Sequence, residues 1–181
     1  MPTSSQSGKA SIKWVMSKLP EPKTALDIGC GEGTYANLFP KLAFTGVEIW
    51  EPYAEKYGLQ SLYQNLILQD AREFRTDEHF DVCFLGDVLE HMTLAEAVAL
   101  FNRAKGWADT VIISIPIGHY PQDEYEGNPY ERHVKDDWSD AEVKQVFDKP
   151  TWSIVDGEIG VYVYSKHKIA LSYCVYAVSK N

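Results

Sequence analysis

The run Ala25-Leu26-Asp27-Ile28-Gly29-Cys30-Gly31-Glu32-Gly33-Thr34 constrains this chain more than any other stretch. A short apolar segment ends in three glycines at alternate positions, and a helix-compatible segment follows. The pattern reads as a buried strand, a tight turn and a helix. Glycines admit positive φ and let a ligand approach the backbone without meeting a Cβ, and the helix start offers free N–H groups. Turns of this kind border nucleotide-like ligands; the plainer alternative is a tight strand-to-helix connection. The dinucleotide fingerprint Gly-x-Gly-x-x-Gly is not met, because Thr34 stands at its third glycine. Asp27, two residues before the first glycine, would repel a pyrophosphate and attract a cationic amino-acid group.

At 181 residues the chain fits one domain spanning 1–181 with a sizeable core. Its net charge of −9 and lack of a Lys/Arg run disfavour non-specific binding to nucleic acid or anionic lipid. No segment is long and apolar enough to span a bilayer, and residues 1–8 read as a disordered lead without an apolar signal region, so a cytoplasmic setting is expected. Cys30, Cys83 and Cys174 are few, odd in number and widely spaced. That argues against a disulfide framework and against bound metal. Cys83 and Cys174 read as core, and Cys30 as a small residue in the glycine turn.

Apolar periodicity predicts a helix over Lys9–Leu19, then strands at Ala25–Gly29, Phe44–Ile49, Leu66–Asp70, Phe80–Gly86 and Thr110–Ile115. Helical segments between them run from Gly33 toward Phe39, from Glu51 toward Gly58, and from Leu94 to a closing Gly106. This alternation implies a parallel sheet covered on both faces. After it come a polar, aromatic loop, a helix over Asp140–Phe147, and strands at Trp152–Tyr164 and Ile169–Val178. Only Ser165-Lys166-His167-Lys168 separates those two strands, so they must form an antiparallel hairpin.

In open parallel sheets the carboxyl ends of the strands border the ligand crevice. Four such ends are polar here. Beside the glycine turn stand Glu48, which can accept both hydroxyls of a ribose, and Asp70-Ala71, which can meet the edge of an adenine. The fourth is Gly86-Asp87, where Asp87 either faces a ligand or caps the next helix.

Together, Leu26-Asp27-Ile28-Gly29-Cys30-Gly31-Glu32-Gly33, Gly46-Val47-Glu48-Ile49, Gln69-Asp70 and Phe80-Asp81-Val82 through Asp87-Val88-Leu89-Glu90-His91 resemble the class I S-adenosylmethionine-dependent methyltransferases. The last run is similar to the Asp-Val-Leu-Glu-His signature of that family's small-molecule branch. The resemblance implies an α/β fold: a Rossmann-like three-layer α/β/α sandwich. Its seven-stranded, mostly parallel sheet would have order 3-2-1-4-5-7-6 with strand 7 antiparallel. It implies S-adenosyl-L-methionine as cofactor, with Gly29, Cys30 and Gly31 along the methionine portion and Asp27 contributing to its ammonium site. Glu48 would hold the ribose, Ile49 or Trp50 would pack on adenine, Asp70 and Ala71 would lie at its edge, and Gly86 and Asp87 would border the sulfonium. Trp50 is bulky for its place, and no long insertion supplies substrate contacts.

Methyl transfer is an in-line displacement in which protein groups position the nucleophile. A hydroxyl nucleophile needs a base, and His91, His119 and His133 are the candidates. His119 follows the fifth strand, and His91 reads better as orienting the cofactor-side loop. The segment 117–138 reads as a substrate loop or lid. Its His119, Tyr120, Tyr125 and Tyr130, interleaved with acids, suit a small polar acceptor such as a saccharide, or a cationic one. Two other classes remain open: a non-catalytic cofactor-binding protein of the same fold, and a nicotinamide-dependent oxidoreductase.

Overall fold

The computed structural model describes residues 7–169. Helix α1 (Lys9–Met16) precedes β1 (Thr24–Ile28), α2 (Thr34–Leu38), β2 (Ala43–Glu48), α3 (Glu51–Lys56), α4 (Leu59–Leu62) and β3 (Asn65–Leu68). Then come β4 (Phe80–Gly86), a 3-10 turn (Leu89–His91), α5 (Leu94–Trp107) and β5 (Ala108–Pro116). A second 3-10 turn (Pro129–Glu131), α6 (Asp140–Val146), β6 (Trp152–Asp156) and β7 (Ile159–Ser165) complete the described chain. One seven-stranded sheet runs β3-β2-β1-β4-β5-β7-β6, with β7 antiparallel to both neighbours.

The strands are apolar on both faces because helices cover both. On β4, Cys83 and Leu85 join one buried cluster while Val82 and Phe84 join the other, as the two-residue side-chain period dictates. Helix α5 fills the first cluster with Ala97, Leu100, Phe101 and Ala104, and α1 fills the second with Ile12, Val15 and Met16. At the start of α5, Thr93 Oγ1 accepts from the Glu96 amide at 3.4 Å while Glu96 Oε2 accepts from the Thr93 amide at 2.9 Å. Thr93→Ala removes this box and is expected to cost about 1 kcal/mol and lower Tm by about 2–4 °C. An unchanged calorimetric Tm would show the box to be dispensable.

Register brings the strand ends level. Ile28 pairs with Val47 on one side and Leu85 on the other, and Gly86 pairs with Ser114. The chain moves outward from β1 to β3 and then returns to β4 on the opposite side. The topological switch therefore lies between β1 and β4.

Three expectations need correction. Trp152–Tyr164 is not one strand: it folds back at Gly157-Glu158, where Gly157 has φ +62°, and is itself the hairpin of β6 and β7. The sign of that φ demands glycine, and Asp-Gly between alternating apolar residues is a hairpin signal. The expected strand Ile169–Val178 lies, beyond Ile169, outside the described residues, as do Cys174 and residues 1–6 of the expected lead. Helix α5 is not closed by Gly106 but runs on to Trp107, whose ring packs edge-on against Phe74 at 5.2 Å. Gly8, expected to be loose, caps α1 and donates its N–H to Asp156 Oδ2 at 3.1 Å. Among the described residues no helix is long and apolar enough to cross a membrane.

Candidate active site

The glycine turn begins where β1 ends. Gly29 has φ +67°, and a Cβ there would lie 2.7 Å from Val88 Cγ2, so conformation and packing both require glycine. The Gly29 and Cys30 amides donate to the Val47 carbonyl at 2.8 and 3.1 Å. Glu48 then locks turn and strand together: its Oε2 accepts from the Gly31 amide at 2.9 Å and its Oε1 from the Trp50 amide at 2.8 Å. Burial raises the Glu48 carboxyl above its ordinary range, although the Trp50 and Gly31 amides favour its charged form.

A cavity of 480 Å³ opens over the switch point. Gly29, Cys30, Gly31, Glu48, Ile49, Asp70, Ala71, Gly86 and Asp87 line one part of it, and His91, Tyr120, Tyr130 and His133 another. The glycine bend and the two carboxylates expected to flank it thus border one space. Asp70 enters already committed: both its oxygens accept from the Arg72 guanidinium, the shortest contact being 2.6 Å. Partial burial pushes its carboxyl up, but the Arg72 hydrogen bonds hold it below its usual range.

Four named residues are not part of that lining. Asp27 is 1% exposed, with its Oδ2 accepting from the Tyr63 hydroxyl at 2.6 Å. Burial raises its carboxyl to about 7, against the opposing Tyr63 bond and the charge of Lys9. Trp50 meets the Tyr130 ring at 6.2 Å. Tyr125 pairs with Asn128 in a tight turn. The side chain of His119 is 72% exposed, with Nδ1 3.6 Å from Asp136 Oδ2. The structure therefore brings His91 and His133 to the cavity and leaves His119 outside it.

Other lining residues escaped the sequence reading, among them Tyr35, Arg72, Glu90 and Gln122, while Glu131 is one of the loop acids. Glu90 stood in the quoted signature without a role. It is 2% exposed, its Oε2 has no hydrogen-bond partner among the described residues, and burial followed by Asp87 raises its carboxyl well above normal. Its backbone carbonyl accepts from the Val134 and Lys135 amides at 2.8 and 3.0 Å, which fastens the 117–138 loop to the end of β4. The loop's other side is held to α3 by Tyr53, donating to Glu131 Oε1 at 3.0 Å, and by the Lys56–Glu126 ion pair.

His91 Nδ1 meets the Arg132 carbonyl at 3.1 Å and His133 Nδ1 the Tyr120 carbonyl at 2.6 Å. Burial lowers the pKa of both rings, so both are neutral at pH 7. Lys9 of α1, itself outside the lining, lies behind it, 3.0 Å from the Tyr35 hydroxyl and 3.7 Å from Asp87 Oδ2. Burial lowers its pKa, opposed by Asp87 and Asp27. Burial pushes the Cys30 thiol up, which removes it as a nucleophile.

A family model described as a methyltransferase domain matches residues 26–106, the span from β1 to the end of α5 that carries the glycine turn, Glu48, Asp70 and Asp87. Over that span the chain is similar to a methyltransferase domain, and its sheet order is that of the Rossmann-like methyltransferase fold. Solved structures share the methyltransferase fold. The N-terminal domain of EvdMO1, solved with SAH bound and also in the presence of SAH and D-fucose, superposes with TM-score 0.64 at 16% identity, covering 88% of this chain and 80% of that one. An S-adenosylmethionine-dependent methyltransferase from Clostridium acetobutylicum gives 0.60 at 17%, covering 86% and 88%. CalS10, an amino pentose methyltransferase of Micromonospora echinaspora solved with SAM bound, gives 0.51 at 19%, covering 66% and 53%. No curated protein matches this chain significantly in sequence.

Proposed function

We propose that the cleft binds S-adenosylmethionine against the glycine turn and Glu48, and passes its methyl group to a hydroxyl of a small polar acceptor, with a saccharide as the best fit. The observation that carries this reading is the single 480 Å³ cavity, continuous from Gly29 and Glu48 to a polar wall of Tyr120, His91 and His133. The sugar-related structures among the fold's relatives support the acceptor class.

The residues fit the cofactor's charge. Glu48 and Asp87 face the cavity, and these carboxylates favour a sulfonium and an ammonium over a phosphate. Each Glu48 oxygen, with one lone pair given to a backbone amide, retains another for a ribose hydroxyl. Ile49 and Ala71 offer apolar surface to the base, beside the Asp70–Arg72 pair. When bound, the cofactor supplies a methyl group on positively charged sulfur. The new O–C bond forms as the C–S bond breaks; the bonding pair stays on sulfur and the hydroxyl proton leaves to a base. Holding the acceptor oxygen in line accounts for about 7–11 kcal/mol of the barrier. The 117–138 loop, pinned at both sides, excludes water over that position.

Titration calorimetry with S-adenosylmethionine and its demethylated product, followed by mass spectrometry of a panel of sugars, tests the reading. One-site binding and a methylated hydroxyl are expected. Absence of binding for both compounds at high micromolar concentration would overturn it.

A further inference from the structure

The cavity's acceptor wall contains three groups whose arrangement the transfer of a methyl group does not by itself explain. Glu90 and His91 come from the turn after β4, and His133 from the returning side of the 117–138 loop. One ligand-type atom from each lies within 4.8 Å of the others. The two imidazole rings sit 5.0 Å apart at 67°. Each gives its Nδ1 to a backbone carbonyl, at Arg132 and at Tyr120, which fixes the tautomer with its lone pair on Nε2. Held in this way, a histidine is oriented as a metal ligand. Glu90 supplies a carboxylate oxygen that is buried and without a hydrogen-bond partner among the described residues. A buried polar atom without a partner is costly, and a cation beside it would offset that cost.

We propose that Glu90, His91 and His133 form a binding site for a first-row divalent cation whose open positions receive the acceptor hydroxyl. Two imidazole nitrogens and one carboxylate suit Mn²⁺ or Zn²⁺ better than Mg²⁺, which prefers oxygen alone. Bonds of about 2.0–2.2 Å at tetrahedral angles hold ligand atoms about 3.3–3.6 Å apart, so the three side chains draw together by up to about 1.5 Å on binding. The ion orients the hydroxyl and makes it more acidic, which relieves the wall of the need for a histidine base. That role rests on the proposed transfer to a hydroxyl, whereas the ion site itself stands on the cluster alone.

The full chain, stripped with EDTA, is titrated with MnCl₂ and ZnCl₂ by calorimetry, with the Mn²⁺ experiment followed by loss of the free-ion EPR signal. One equivalent binding in the micromolar range is expected. His133→Ala and His91→Ala should each weaken it at least about tenfold while SAH affinity stays within about twofold. His133 is only half-buried on a loop, so its variant serves even where Glu90→Gln fails to fold. No binding of Mn²⁺, Zn²⁺ or Mg²⁺ below about 1 mM, or binding that His133→Ala leaves unchanged, overturns the site. If the ion binds through these residues and no hydroxyl is methylated, the ion site stands and the proposed transfer falls. Full turnover by stripped protein that binds no ion removes the site and leaves the transfer standing.

Discussion

Glu48→Ala should abolish measurable cofactor binding, with calorimetric affinity falling at least about hundredfold, or about 2.7 kcal/mol. The carboxylate closes two structural bonds, to the Gly31 and Trp50 amides, and is also the proposed ribose acceptor. Deleting it leaves two N–H groups beside a cavity without their charged partner, at about 1.5–3 kcal/mol for each lost charge-assisted bond. The glycine bend then loses its tie to β2, so the methionine end suffers along with the ribose end. Glu48→Gln separates the two effects. Its amide oxygen can still accept from one backbone N–H, so the fold is kept, while ribose recognition is weakened. Wild-type affinity in Glu48→Ala would mean that the cofactor lies elsewhere.

The second large effect is on stability. Asp27 is buried with a carboxyl raised to about 7. The titratable groups facing it are Tyr63 after α4, Lys9 of α1, Glu48 of β2, Cys30, Tyr35 of α2 and Cys83 of β4. Because the folded pKa lies above the unfolded value, the folded state binds the extra proton between about pH 4 and 7. This contribution to stability is therefore fully present below about pH 4 and is lost as pH rises through 7, amounting to about 4 kcal/mol. Urea denaturation across that range should show the decline, and Asp27→Asn, which keeps an acceptor for the Tyr63 hydroxyl, should flatten it. Burial raises Glu48 and Glu90 in the same direction, so the quantity to read is the difference between variant and wild type. An identical slope in both proteins would assign the titration to other groups.

The sheet was legible because its strands are short apolar runs that end in glycines and acids. Those runs needed no tertiary information to place β1, β2 and β4 beside one crevice. The hairpin was misplaced because Tyr162, Val163 and Tyr164 continue an apolar alternation across Asp156-Gly157, and period alone cannot reveal a reversal. The three histidine candidates divide for another reason. His119 and His133 are both polar loop residues, and only long-range bonds decide between them. His133 is drawn in by the Tyr120 carbonyl and by the Glu90 carbonyl's hold on Val134, while His119 turns to Asp136. Glu90 was visible in the sequence, yet its burial came from the packing of the 117–138 loop over β4, which no local pattern encodes. The expectation of no bound metal rested on cysteine spacing, whereas the ion site proposed above would draw its ligands from separate elements.

Lys9 stands in the first turn of α1, with its ammonium buried between Tyr35 and Asp87. Replacing Lys9 therefore changes the charge beside two residues of the cavity wall, Tyr35 and Asp87. Without this cation Asp87 keeps the Ser114 hydroxyl as a donor but faces the Glu90 carboxyl with no positive charge between them to offset the pair, so a helix that looks peripheral sets the charge of the wall.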